Sequence, residues 1–464
     1  MKRSLRFEDV VSALPDDVGE LLLRIVRVAG EHDRVIRLVG GPIRDLLLGR
    51  EIVDVDLAVE SDPGELAKAI VERAGREELR VVAHDRFGTL RIESNEAHID
   101  IAQLRAETYE HPGALPQVRP GDLAEDMSRR DFSVNALVCS LDADQPTKAM
   151  PITDLEGGLE DLERRRLRIL HPRSFHDDPT RIWRAARLGA RLGFSLDRKS
   201  RNALRDAMRD GAFGAVSGER WRRELEFGFD EARRGVHVGH VLRSLSDWHV
   251  LPALEPGLAL AADRMVPLRR LSKAIAQPEW PTPRWRPWLA GLSIWLAPLP
   301  AVVRRRTLER FSIRGDAARR IVRFGRDADR TLKSLSRARG RGAVDALLSE
   351  LPEETIQALY ALADASVRRR ILRWAAEDRR RRAPVGGAEL TDLGLAGPEV
   401  GRALARIRAG FLDGEVANRE EALALAEEMA RRAARRRARK TDRPSPRRKV
   451  AARKTITDTP PERV

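Results

Sequence analysis

Residues 35–59 limit what this chain can fold into more than any other stretch. An apolar run, Val35–Val39, enters Gly40-Gly41, continues as PIRDLLLG and returns as the alternating segment VDVDLAV. That order predicts a strand, a glycine turn, a helix start and a second strand. Side chains two apart on a strand point to one face, so Asp54 and Asp56 are expected to present two carboxylates side by side. Two adjacent anions are costly unless a cation joins them, and an oxygen-only donor set suits Mg²⁺, which in pairs clamps the attacking and leaving oxygens of phosphoryl or nucleotidyl transfer. Glycines without a Cβ let a phosphate approach the backbone where a helix begins, and Arg44 adds a forked donor. The same residues also suit a solvated strand end and an ordinary turn.

Strand periodicity is confined to residues 20 to about 140, with an amphipathic helix expected at 18–30 and strands near 79–83, 88–93 and 97–102. From about residue 156 onward Ala, Leu and Arg recur at three- and four-residue spacing, so the fold class expected is α+β, a mixed head followed by a helical body. A further helix should begin near Pro398 and stop around Gly410. The uncharged run Trp288–Val303 carries Pro298 and Pro300 and falls short of the ~18–20 residues that span a bilayer, so it reads as buried helix ends. The 464 residues leave room for several domains, and 42% hydrophobic with 34% charged residues is a globular balance.

The net charge is +15, of which Arg431–Val464, with 14 basic and 3 acidic residues, supplies +11. Residues 431–464 are therefore expected to be a disordered basic tail, drawn to RNA or merely solubilising. The lone Cys139 excludes an internal disulfide or a cysteine metal cluster. With no apolar core in MKRSLRFEDV, a soluble protein of the cytoplasm is expected, with no membrane partner.

Three more stretches carry chemistry. HIDIAQLR places Asp100 between Ile99 and Ile101, a candidate third carboxylate or an edge-strand surface residue. MSRRDFSVNALV sets Arg129, Arg130, Asp131 and Asn135 around buried-type Phe132, Val134 and Ala136, and polar groups so placed want a partner such as triphosphate or ribose, or else form a salt-bridged helix start. In SFHDDPTRIWRAARLGARLGF, Pro179 suits a first helical turn, and Asp178, Arg181 and Arg184 at three-residue spacing are expected along one helical face. A carboxylate beside a guanidinium complements cytosine and adenine, each offering an amino donor next to a ring acceptor, and refuses uracil and guanine. A capped amphipathic helix with an ion pair accounts for the same spacing.

Taken in order, GGPIRDLLLG with DVD, DIAQLRAETY, LAEDMSRRDFSVNAL, ITDLEGGLEDL, DDPTRIWRAARL and SGERWRREL resemble the class II tRNA nucleotidyltransferases and bacterial poly(A) polymerases over about residues 34–230. GAELTDLGLAGPEVGRALARIRAGFLDGEVANREEA is similar to the C-terminal helical segment of many bacterial members. The resemblance implies a polymerase-β-type nucleotidyltransferase head with a small mixed or antiparallel sheet at 20–150. All-α neck, body and tail domains would follow at 151–235, 236–385 and 386–430. It implies Asp54 and Asp56 as Mg²⁺ ligands with Asp100 as third catalytic carboxylate. Gly40, Gly41, Arg44 and Arg130 would meet the nucleotide, Asp131 and Asn135 its ribose end, and Asp178, Arg181 and Arg184 its base. The activity implied is template-independent addition of CCA to the 3′ end of tRNA from CTP and ATP, with pyrophosphate released. Addition of A alone, poly(A) synthesis and non-catalytic RNA binding are the alternatives. DDPTR and ALPQV look closest to the branch that includes A-adding enzymes, and the absence of a His-Asp phosphohydrolase signature predicts no phosphatase activity.

Overall fold

The computed structural model describes residues 2–74, 78–84, 88–94, 97–275, 277, 280 and 286–441. Among the described residues ten strands form the head: β1 (Ser4–Leu5), β2 (Ile36–Val39), β3 (Asp56–Val59), β4 (Arg80–His84), β5 (Thr89–Ser94), β6 (Ala97–Gln103), β7 (Arg105–Thr108), β8 (Gln117–Pro120), β9 (Val138–Leu141) and β10 (Met150–Thr153). Eight of them make one mixed sheet in the order β1-β10-β9-β2-β3-β6-β5-β4, while β7 and β8 form a separate hairpin. Only the β3–β6 pairing is parallel within the large sheet. β1 and β10 come from outside or at the limit of the periodic region and extend the sheet at one edge.

The expected amphipathic helix spans Asp16–Glu31, buries Leu21, Leu22, Ile25, Val26 and Ala29, and carries Asp16 and Asp17 in its first turn, where negative charge is favoured. Val39, Ala58, Leu104, Met127, Ala136 and Val138 form a buried cluster that ties β2, β3 and β9 to the segment holding the polar motif. Beyond the head the chain is helical, apart from the short parallel pair Arg166–Leu167 with Ser195–Leu196. Only the first part of the apolar run is buried, residues 289–296 of the helix Pro287–Leu296; the rest passes through a partly exposed turn at 297–300 into the helix Ala301–Arg310, where Ala301 and Val302 are exposed. No helix of the described residues is long and apolar enough to cross a membrane.

The chain divides into two compact units, Met1–Arg330 with Pro352–Ala363, and Thr331–Leu351 with Asp364–Val464. In the second, Val385, Leu390, Ala403, Ile407, Ala422 and Ala426 make the core. Two expectations are corrected there. The helix from Pro398 runs past Gly410 to Asp413 and stops at Gly414, whose φ of +80° is the left-handed geometry that glycine adopts freely. The final helix, Arg419–Thr441, occupies the beginning of the stretch expected to be disordered. Met429, Ala430 and Ala433 pack on the core, Arg432 pairs with Glu428, and Arg437 reaches Glu399 at 2.6 Å, so the helix is held by contacts that composition does not reveal. The rest of that tail, 442–464, lies outside the described residues.

Candidate active site

Gly40 sets the geometry of the site. Its φ is +74°, and a Cβ there would stand 2.8 Å from Arg130 Nη1 and 3.1 Å from the Asn135 carbonyl oxygen. Only glycine allows the start of the helix Gly41–Leu47 to lie so close to the segment 130–135. Arg44, on that helix, is buried; its Nε and Nη2 donate to Asp45 at 2.9 and 2.8 Å, and its Nη1 donates to Asn135 Oδ1. Asn135 in turn donates to Asp131 Oδ1 at 2.9 Å, and Arg184 Nη2 stands 2.9 Å from Asp131 Oδ2. Burial alone would push the Asp131 carboxyl up, but Arg184 and the Asn135 amide outweigh it and hold it below the usual range. Asp126, from the capped turn Leu123–Ser128, is clasped by Arg129 at 2.5 Å and by Arg130 at 2.9 Å, which fixes both arginines at the rim.

Three carboxylates stand at the other wall. Asp56 opposes Asp100 in the parallel register of β3 and β6. Asp54 is not on the strand as expected: regular pairing begins at Asp56, and Asp54 belongs to the irregular approach, where it is exposed beside buried Val55. Water reaches Asp56 within the cleft, yet the surrounding walls hydrate it poorly. Burial first and the neighbouring Asp100 next push its carboxyl above the ordinary range, against the pull of Arg130. An all-oxygen set of this kind fits a hard divalent cation. As placed, however, no group of three or more His, Cys, Asp or Glu among the described residues is gathered tightly enough to hold one. Two of these carboxylates are engaged by arginine: Arg91 takes both oxygens of Asp100 at 2.7 and 2.9 Å, and Arg234 lies 3.3 Å from Asp54.

The expected base-reading face is rearranged. Asp178 precedes the helix, which runs Arg181–Leu192, because a residue before proline avoids the helical region and Asp178 is extended at φ −133° and ψ 92°. Its Oδ1 accepts from Thr180 N–H at 3.0 Å, the Thr180 hydroxyl at 2.6 Å and Arg220 Nη2 at 2.8 Å. Arg181 is buried and donates to the Ser174 hydroxyl at 2.6 Å and the Arg129 carbonyl at 2.8 Å. Asp178 and Arg181 are thus not paired with each other. Arg184, Arg187, Leu188 and Arg191 make the helical face that lines the cleft, with Arg187 held by Glu224 at 2.8 Å.

With the exception of Gly40, which supports it from behind, all the residues expected at the site line a single cleft of about 930 Å³. Sequence reasoning missed Arg91, Arg187, Arg191, Arg220 and Arg234. For Arg91 a signal existed: pairing Ser94 with Ala97 in the β5–β6 hairpin places Arg91 opposite Asp100.

A mixed sheet, a glycine turn and carboxylates on neighbouring strands are what this head shares with the proteins it resembles. Residues 36–168 match the poly A polymerase head domain. The chain is 29% identical over 429 residues to an A-adding tRNA nucleotidyltransferase of Geobacter sulfurreducens, covering 90% of this chain and 48% of that protein. It is 43% identical over 162 residues to a CC-adding tRNA nucleotidyltransferase of Deinococcus radiodurans, covering 34% of this chain and 41% of that one. It therefore spans about half the length of the first relative and matches a shorter share of the second. A solved structure of a CCA-adding enzyme in an apo form superposes with a TM-score of 0.73 at 25% identity, covering 91% of this chain and 99% of that one. Residues 36–168 are thus similar to the poly A polymerase head domain, and the chain as a whole is similar to tRNA nucleotidyltransferases.

Proposed function

We propose that this protein adds CCA to the 3′ end of tRNA without a nucleic-acid template, taking nucleotides from CTP and ATP and releasing pyrophosphate. The observation that carries the reading is the row of Asp56 and Asp100 in register, facing Gly41, Arg44 and Arg130 across one cleft. In this reading Asp54 and Asp56 hold Mg²⁺, with Asp100 as third carboxylate. The bound metal supplies charge neutralisation on the triphosphate and makes the attacking hydroxyl more acidic. The chain's own groups do the positioning. Gly41 leaves room for the phosphates, Arg130 meets them from the opposite side, and Asp131 with Asn135 orients the ribose end. The RNA 3′ oxygen bonds the α-phosphorus as its hydroxyl proton passes to water, and the bond between the α-phosphorus and the bridging oxygen breaks, so that pyrophosphate leaves with that oxygen.

Base choice falls to Asp178, whose Oδ2 receives no hydrogen bond among the described residues, together with the guanidinium of Arg181. Because Arg181 is engaged elsewhere in the free protein, selection requires it to exchange the Arg129 carbonyl for the base. The neck, body and tail helices would hold the tRNA.

A second reading, addition of the terminal A alone, is favoured by the Geobacter sulfurreducens relative, whose match extends along most of this chain. One experiment separates them. tRNA transcripts ending at the discriminator base, after C and after CC are offered with Mg²⁺ and CTP, ATP or both. Extension of all three to CCA supports the first reading. Growth of the CC-ended transcript alone, by one A, establishes the second, and long A tracts on unrelated RNA would make the protein a poly(A) polymerase.

A further inference from the structure

Asp56, Asp100 and Arg91 stand in one row across three strands, Asp56 opposite Asp100 and Asp100 opposite Arg91. Arg91 grips Asp100 by its fork, Nε to Oδ1 at 2.7 Å and Nη2 to Oδ2 at 2.9 Å. From the far side of the cleft, Arg234 brings Nη2 to 3.3 Å from Asp54 Oδ2, across 180 residues of chain. Two of the three carboxylates thus already carry a cation, and it is a guanidinium. The lining of the cleft includes ten arginines and ten carboxylates, a balance that leaves no surplus negative charge to attract a divalent ion.

We propose that Arg91 and Arg234 are resident counter-cations of Asp100 and Asp54, which keep the nucleotide-free protein a weak binder of divalent metal, and that the triphosphate, by giving Arg234 another anion, releases Asp54 to the metal. The inference rests on the reading of Asp54 and Asp56 as metal ligands. Its logic is electrostatic. A metal ion and a guanidinium on the same carboxylate repel each other, so one must withdraw or both bind weakly. Arg91 makes the stronger hold, since a two-point fork on a partly shielded carboxylate exceeds a single contact in water. Arg234 is the mobile member, because its one contact is solvent-exposed at both ends. It also has somewhere to go. Arg191 and Arg44 line the same cleft, and burial, then the guanidiniums of Arg44 and Arg234 working against Glu231, hold the Arg191 group below its ordinary value, so both cations are within electrostatic reach of Arg191. An incoming triphosphate relieves that crowding and draws Arg234 off Asp54.

The test is a titration of the full chain with Mn²⁺, read by the paramagnetic resonance signal of the free ion. Without nucleotide, Arg91→Gln should bind Mn²⁺ about tenfold more tightly than the parent and Arg234→Gln about threefold. Arg91→Lys and Arg234→Lys, which keep the charge, should stay within about twofold of the parent. In EDTA, a non-hydrolysable ATP analogue should bind Arg234→Gln about threefold more weakly, because the arginine that meets the triphosphate is gone. Unchanged or weaker Mn²⁺ affinity in both glutamine variants overturns the proposal, as does tightening in the lysine variants equal to that in the glutamine ones. An unchanged analogue affinity in EDTA overturns the handover. Asp56→Asn separates the two levels: if it leaves Mn²⁺ binding untouched, the metal-site reading fails and the inference with it. If it abolishes binding that the arginine variants do not alter, only the counter-cation idea falls. Circular dichroism on each variant shows that it is folded, and Arg234→Gln, altered at an exposed turn, carries the test if Arg91→Gln does not fold.

Discussion

Asp131 in the head and Asp345 in the second unit are both buried carboxylates held by arginine, and their surroundings differ in what the pairing leaves over. Asp345 accepts from Trp374 Nε1 at 2.8 Å and from both arms of Arg408 at 2.6 and 2.8 Å, inside a closed helical core. Asp131 also has partners, but it lines an open cleft in which Arg130 Nε, Arg191 Nε and Glu231 Oε2 are buried without a hydrogen-bond partner among the described residues. A satisfied buried ion pair therefore says little about function. Unfinished pairing around a space large enough for a nucleotide says much more.

Cleft and core should differ most at the acidic wall. Asp54→Ala with Asp56→Ala should lower nucleotide transfer by at least about 10³-fold while tRNA binding, followed by fluorescence anisotropy, stays near the parent value. Loss of binding in step with activity would turn these carboxylates into structural residues of the Asp345 kind. In the closed core the outcome should be the reverse. Asp345→Ala strands Arg408 and the Trp374 N–H, and should cost about 3 kcal/mol in urea unfolding, with transfer per folded molecule unchanged.

The order of elements in the head was legible because alternation and the glycine turn are local properties: the strands near 79–83, 88–93 and 97–102 fall close to β4, β5 and β6. The candidate residues that line the cleft, from Gly41 to Arg184, were legible too, through motifs, whereas Arg187, Arg191, Glu224 and Arg234 were not. What the sequence withheld was pairing. Asp178 and Arg181 are three apart in the chain, yet Pro179 ends one turn before the next helix begins and sends them to different partners, Arg220 and the Arg129 carbonyl. Arg234 and Asp54 meet only because the fold brings distant segments together, and no local spacing encodes that. The helical start of the basic tail was hidden for the same reason: Ala433 has nothing to pack on until the core formed by Leu390, Ile407 and Ala426 exists.

Arg181 belongs to both regimes, being buried like Asp345 yet lining the cleft. Arg181→Ala should lose about 1–2 kcal/mol of stability, since the Ser174 hydroxyl and the Arg129 carbonyl lose a charged donor. It should also narrow the preference for CTP and ATP over UTP and GTP by about tenfold, measured as ratios of kcat/KM. Arg181→Lys, which keeps the charge without the fork, should recover stability more than selectivity. Equal losses for all four nucleotides would assign Arg181 to the scaffold and leave base choice to Asp178 and its neighbours.

The smallest effect is expected at Glu224, the cleft-wall carboxylate that pairs with Arg187 at 2.8 Å. Burial is the main influence on it and pushes its carboxyl above the ordinary value, Arg187 and Arg184 opposing and Asp178 adding to the rise. A raised value means that the folded protein holds this proton more tightly than the unfolded chain does. Between the unfolded value, near 4.5, and the raised one, stability then falls as pH rises, and above that window the penalty is complete. Glu224→Gln carries no charge at any pH. Its thermal midpoint should exceed the parent's at about pH 7 and lose that lead as the pH falls through the window. A lead that persists to low pH would trace to packing, and a deficit at about pH 7 would mean that the ion pair with Arg187 outweighs the burial of its charge, aligning Glu224 with the closed core and not with the cleft.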